Sequence, residues 1–193
     1  MKGKKIFNFI IHWYMIIEKI VQIWNPILSQ KSEKVESFKS PKIKNTIKNL
    51  IDTMRASNLV GMAAVQIWAT TRIFVTEIRM TPSRNSSTMD KLRVYINPKI
   101  IWKSKIQCIM YEWCGSIAYA KLFGSVKRPK KIIIEAYDQD WIKFKLKADG
   151  LLSRVIQHEY DHLEGIAFTE KLTDIKKIMS REEYIERIVQ KKK

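Results

Sequence analysis

The sequence predicts an α+β fold in which antiparallel-rich sheets pack around one helix near the C-terminus, with a further helix at the end of the chain. Two observations carry this: short runs of alternating apolar residues through the middle, and helical periodicity on both sides of them. At 193 residues and 46% hydrophobic content the chain is long enough for one domain with a proper core. No internal repeat or low-complexity linker divides it.

The first helix is read from Ile47, Leu50, Ile51 and Met54, which repeat at i, i+3, i+4 and i+7. Strands follow at residues 72–78 and 92–96, separated by a polar loop over 80–89 rich in Ser, Asn and Thr. A hairpin is read from residues 132–137, a turn at Asp138-Gln139-Asp140, and strict alternation over 142–146. This hairpin is expected to return the chain beside Cys114. The next helix opens at Asp149-Gly150, a plausible N-cap, and closes at Gly165, which suits a left-handed terminal position. Its apolar stripe runs Leu152, Ile156 and Leu163.

That helix carries His158-Glu159-Tyr160-Asp161-His162, an H-E-x-x-H pattern. Residues at i and i+4 lie on one helix face about 5–6 Å apart at Cβ, so two imidazoles there can share one small cation. Glu159, on the neighbouring stripe, can take the proton of a water activated at that cation. The stripe Leu151, Val155, His158, His162 must face the interior on one side, where such a site is dry.

A site of this kind needs a third protein ligand and leaves one position open. The extended motif H-E-x-x-H-x-x-G-x-x-H is excluded, because Phe168 stands where its last His belongs. Glu182, about one short helix and a turn beyond His162, would complete a metallopeptidase site of another kind. Cys114 is the stronger candidate upstream. With Cys108 as the only other cysteine and no secretory cleavage site, a disulfide framework is not expected.

Three motifs, in order and at sensible spacing, resemble the peptide deformylase family. Gly61-Met62-Ala63-Ala64-Val65-Gln66 resembles G-x-G-[LM]-A-A-x-Q; Glu112-Trp113-Cys114-Gly115-Ser116 resembles E-G-C-L-S; residues 157–165 resemble Q-H-E-x-D-H-L-x-G. Residues 96–98, 126–129 and 148–152 also fit, and the resemblance runs from about Val21 to about Lys171. It implies that Cys114, His158 and His162 bind one divalent metal ion and that Glu159 is the general base and later the general acid. It implies ferrous iron in the cell, with Zn2+, Ni2+ or Co2+ as substitutes. The implied reaction removes the N-terminal formyl group from formyl-methionine of newly made proteins, releasing formate. Charge building on the formyl oxygen would be met by the Gln66 side-chain amide and the Gly115 backbone N–H. Gly61 and Trp113 are the expected substrate-binding positions.

The sequence departs from the family pattern at three positions. Leu59 replaces the first Gly, Trp113 the Gly before the metal cysteine, and Gly115 the Leu after it. If those glycines serve positive φ, a side chain costs roughly 1 kcal/mol or more. If they serve close approach, Trp113 would narrow the peptide cleft; alternatively it points into the core. Trp113 and Leu59 are the only support for a second reading, a catalytically weak relative that persists as a basic ribosome-associated protein. Glu112 and Arg128 are the matching acidic and basic positions near Cys114, either a buried pair or plain surface charge.

Net charge is +17, which predicts affinity for polyanions, the ribosome among them. A lysine- and isoleucine-rich composition from nucleotide bias would give the same charge without a partner. No DNA partner is expected, and a monomer is. Residues 1–20 form an N-terminal extension, residues 21–172 the deformylase-like catalytic domain and residues 173–193 a C-terminal basic helix. The run from Phe7 to Ile17 is apolar but broken by Asn8 and His12, too short for a membrane span of about 20 residues. It is read as an amphipathic segment. A cytoplasmic location is expected, with organellar targeting as the alternative, although the segment lacks the Arg and Ser of a transit peptide.

Overall fold

Helix α1 (Pro41–Ala56) starts on a proline in its first turn, where a missing N–H costs nothing. It turns Ile43, Ile47, Leu50 and Met54 inward, and these pack with Met62, Ile73, Val75 and Ile96 in one part of the core. A computed structural model of the chain describes residues 17–37, 40–80 and 88–190. Most of the N-terminal amphipathic segment, most of the polar loop over 80–89 and the terminal Lys191-Lys192-Lys193 lie outside the described residues.

Five strands form an antiparallel sheet in the order β1 (Gly61–Ala63), β2 (Ile73–Ile78), β3 (Asp90–Lys103), β6 (Lys131–Tyr137) and β7 (Lys143–Asp149). Strand β3 is far longer than residues 92–96. Its first half pairs with β2 and its second half with β6, with register shifts between Ile96 and Lys99 and between Ile100 and Trp102. Asn97 takes φ 50° there, and its side chain bonds both the N–H and the carbonyl of Val35 at 2.9 and 2.8 Å.

A second, three-stranded sheet has the order β4 (Gln107–Glu112), β5 (Leu122–Pro129) and β8 (Met179–Ser180). The β6–β7 hairpin does return the chain beside Cys114, through the helix that follows it and carries His158 and His162. That hairpin belongs to the large sheet, whereas Cys114 follows the end of β4 in the small one.

Helix α2 (Gly150–Leu163) joins the two sheets. Asp149 caps it, its Oδ1 accepting the Gly150 N–H at 2.6 Å, and Gly165 takes φ 75° just beyond its end. Ile156 and Leu163 pack on Phe74, Tyr95 and Ile134 of the large sheet. On the other side, Arg154 donates to the Val126 carbonyl of β5 at 3.0 Å, and His158 meets Glu112 of β4. Burying an apolar stripe on one sheet fixes the helix, and the polar stripe then has to find its partners on the other.

The end of the chain is helical over a shorter stretch than residues 173–193. Asp174 caps a 3-10 turn at Ile175–Lys177, and Met179 and Ser180 pair with Phe123 and Leu122. Helix α3 (Arg181–Tyr184) begins only after Ser180, whose hydroxyl accepts the Glu183 N–H, and it continues as a π-helical turn over Ile185–Val189. Strand pairing of β8 outcompetes helix propensity ahead of that cap. No helix among the described residues is long and apolar enough to cross a membrane.

Candidate metal centre

The structure brings Cys114, His158 and His162 together, all buried, with their potential ligand atoms within 4.8 Å of one another. Cys114 Sγ lies 3.2 Å from His162 Nε2. Ligands bonded at about 2.0–2.3 Å in a tetrahedral array stand about 3.5 Å apart, so this set brackets the spacing one cation requires. The mix of one thiolate and two imidazoles suits a divalent transition metal.

The electrostatics agree with that reading. Burial pushes the Cys114 thiol up, but the imidazoles of His162 and His158 outweigh it and hold the thiol well below its usual range. Burial works to lower the pKa of His158, yet its bonds to Cys114 and Glu112 draw it well above the usual imidazole value. A field that pulls a proton into this cluster also favours a cation there.

Behind the ligands lies a buried ion network. Glu112, 4% exposed, receives Arg128 through Nε at 2.6 Å and Nη2 at 2.8 Å, Arg154 at 2.7 Å, and His158 Nδ1 at 2.9 Å. Burial would raise the Glu112 carboxyl, but the bonds from Arg128 and His158 hold it well below the usual carboxylate range. Arg128 also meets Asp161 at 2.5 Å, and Lys171 reaches the other oxygen of Asp161 at 3.1 Å. The Glu112 contact at Nδ1 leaves Nε2 of His158 for the metal side and fixes the ring.

Glu112 and Arg128 are therefore a buried pair and not surface charge. Arg154 and Asp161, given no role from sequence, belong to the same network. The available signal was an Arg four residues before His158 and an Asp three residues after it, charges on the helix stripe that must face inward.

Glu159 is 4% exposed, and burial pushes its carboxyl up to about 7. Among the described residues its Oε2 has no hydrogen-bond partner, and neither has Nδ1 of His162. Gly61 sits directly against it: a Cβ at Gly61 would stand 2.5 Å from Glu159 Oε1 and 2.7 Å from Val155 Cγ1. Thus Gly61 serves close approach of strand β1 to the carboxylate.

An open cleft leads to these groups, bordered by Leu59, Gly61, Tyr111, Trp113, Leu151 and Val155. Gln66 and Gly115 also line it. Gln66 is already engaged, accepting the Ala63 N–H at 2.8 Å and donating to Cys114 Sγ at 3.4 Å and Ser116 Oγ at 3.2 Å. The Gly115 N–H has no acceptor among the described residues. Glu182 stands apart from the cluster, exposed in the first turn of α3, so the described structure does not offer it as third ligand.

Neither Trp113 nor Leu59 has positive φ, which removes backbone strain as a consequence of losing the family glycines. Trp113 is half-buried. It borders the cleft, and its ring stacks on Phe123 at 5.0 Å, which in turn stacks on Tyr184 of α3 at 4.3 Å.

A buried sulfur and nitrogen set beside a carboxylate, at the foot of an open cleft, places the protein among metal-dependent hydrolases. A sequence model described as polypeptide deformylase matches residues 17–178. The peptide deformylase of Christiangramia forsetii is 35% identical over 169 residues, covering 84% of this chain and 85% of that protein. That of Karelsulcia muelleri is 37% identical over 163 residues, covering 83% and 81%. The crystal structure of peptide deformylase from Ehrlichia chaffeensis superposes with a TM-score of 0.74 at 29% identity, covering 92% of this chain and 97% of that one. The chain belongs to the polypeptide deformylase family.

Proposed function

We propose that Cys114, His158 and His162 hold one divalent metal ion and that the protein hydrolyses the formamide at the N-terminus of formyl-methionyl peptides and nascent chains. The observation that carries this is the family's Cys-His-His-Glu arrangement at the end of an apolar cleft, in a chain that is a peptide deformylase by sequence. It is a hydrolase of protein N-terminal processing.

The bound metal supplies Lewis acidity, polarising the formyl carbonyl and acidifying water. Glu159 takes the proton of the attacking water and delivers it to the departing amine nitrogen, leaving formate and a free N-terminus. A carboxyl raised by burial is suited to both halves of that exchange. Gly61, lacking a side chain, lets β1 close against Glu159 and so aims the carboxylate. Charge developing on the formyl oxygen is met by the uncommitted Gly115 N–H, and by Gln66 once it turns one N–H away from Ser116. Glu112 holds the His158 ring, while Arg128 and Arg154 hold Glu112. The apolar border of Leu59, Tyr111, Trp113, Leu151 and Val155 suits an unbranched thioether side chain.

Fe2+ is the metal in this reading, with Zn2+, Ni2+ and Co2+ as substitutes, since the ligand set accommodates each. The protein works as a cytoplasmic monomer, and the charge of +17 draws it to the ribosome, where its substrates emerge. Residues 1–20 are read as an N-terminal extension of a catalytic domain spanning 21–172, and the basic C-terminal segment follows. The test is formate release from formyl-Met-Ala-Ser by protein purified without oxygen and loaded with ferrous iron. Saturable release that stops on chelation supports the reading, and absence of release from protein carrying one iron per chain refutes it.

A further inference from the structure

We propose that Leu59 and Gly115 are one complementary pair, in which Leu59 supplies the apolar wall of the cleft and thereby sets which N-terminal side chain is accepted. A Cβ on Gly115 would stand 2.8 Å from Leu59 Cδ1 and 3.4 Å from Ile20 Cδ1. The φ of Gly115 is not positive, so its missing side chain serves space and not backbone conformation. In the motifs this chain resembles, the matching positions carry Gly at 59 and Leu at 115. The two departures are therefore a single exchange of a leucine from one wall of the cleft to the other.

The backbone is tied down on both sides. Leu59 donates its N–H to the Met54 carbonyl at 3.0 Å, and its own carbonyl accepts Arg79 at 3.0 Å. Its side chain, 8% exposed, packs in the core with Met54 and Met62. Opposite, the Gly115 carbonyl accepts Gln22 Nε2 at 3.0 Å and the Ser116 carbonyl accepts the Ile23 N–H at 2.7 Å. Both residues border the cleft that leads to Glu159. Leu59 is thus a specificity-determining residue: its methyl groups limit the space beside the Gly115 N–H, and the substrate side chain packs against them. A hydrophobic wall of this kind discriminates side chains by size, about tenfold or more per methylene change.

The inference rests on the deformylase reading, and the test separates the two. Wild type, Leu59→Gly, Gly115→Leu and the double variant are loaded with ferrous iron to equal content. Each is melted, and kcat and KM are measured on formyl-Met-Ala and formyl-Phe-Ala. Leu59→Gly is expected to raise KM for formyl-Met-Ala about tenfold with kcat little changed, and to narrow the preference over formyl-Phe-Ala. Gly115→Leu alone overpacks and loses about a hundredfold in kcat/KM, whereas in the Leu59→Gly background it costs less than about threefold, with melting temperature recovering in parallel. Should Gly115→Leu fail to fold alone while the double variant folds, the pair is supported directly. Equal costs of Gly115→Leu in both backgrounds, or an unchanged side-chain preference in Leu59→Gly, overturn the proposal. A wild type that releases no formate overturns the functional reading and the specificity role with it, while the melting temperatures still decide the packing pair.

Discussion

Replacing Glu112 with Gln tests the charged scaffold behind the metal ligands. The substitution keeps shape and burial but removes the negative charge that two guanidiniums and one imidazole share at 2.6–2.9 Å. Arg128 and Arg154 are 4% exposed, so neither can turn to water. Stranding charge in this way costs about 3–5 kcal/mol. For a chain of this length each kcal/mol moves the melting temperature by about 2–4 °C, which gives a fall of about 6–20 °C. Loss of the carboxylate at His158 Nδ1 should also weaken metal binding by about 10–100-fold. The sign with pH is definite. Glu112 is held below its unfolded pKa, so its contribution is complete above roughly pH 4.3 and is lost as pH falls through the folded value. Wild type and variant should therefore converge in acid. Differential scanning calorimetry and a competitive metal titration measure both effects, with Lys145→Gln as control because Lys145 forms an exposed ion pair with Glu135. A fall below about 2 °C together with unchanged metal affinity would refute the scaffold.

Three further variants have expected outcomes. Glu159→Gln should lower kcat by about 10²–10⁴ while metal content stays at one per chain. Because burial lifts this carboxyl to about 7, above its unfolded value, its contribution to stability is present in acid and lost as pH rises through about 7. Metal-free Glu159→Gln should accordingly gain on wild type in urea denaturation at alkaline pH and not at pH 4. Gly61→Ala, whose Cβ would meet Glu159 Oε1 at 2.5 Å, should lower kcat about tenfold or more with the metal retained, as read by steady-state kinetics beside metal analysis. Tyr184→Ala should raise KM more than it lowers kcat, because it removes the ring stacked on Phe123 and so loosens the support of Trp113 at the cleft.

Much of this was legible from periodicity. Helices α1 and α2 announce themselves by apolar stripes and a cap, and the H-E-x-x-H spacing places two imidazoles on one face before any coordinates. The small sheet was harder. Strand β4 has Ile109 61% exposed, so its alternation does not mark a buried face, and its pairing with β5 and β8 is set by residues far away in sequence. Glu112 shows the same limit in the site: its partners Arg128, Arg154 and His158 lie 16 to 46 residues away and depend on how the sheets stack on α2. In the sequence Trp113 and Leu59 are departures with two physical meanings, strain or crowding. Only backbone angles could remove the first, and only the facing position of Gly115 shows what Leu59 occupies. The C-terminal helix starts later than composition predicts, because Met179 and Ser180 look helical by composition yet pair with β5.

The central claim is that Cys114, His158 and His162 together bind the catalytic metal. X-ray absorption at the iron edge of the ferrous-loaded protein reads this directly. The account predicts one sulfur and two imidazole nitrogens in the coordination shell, with the sulfur lost in Cys114→Ser and retained in Glu182→Ala. A shell of nitrogen and oxygen only in the wild type would contradict it.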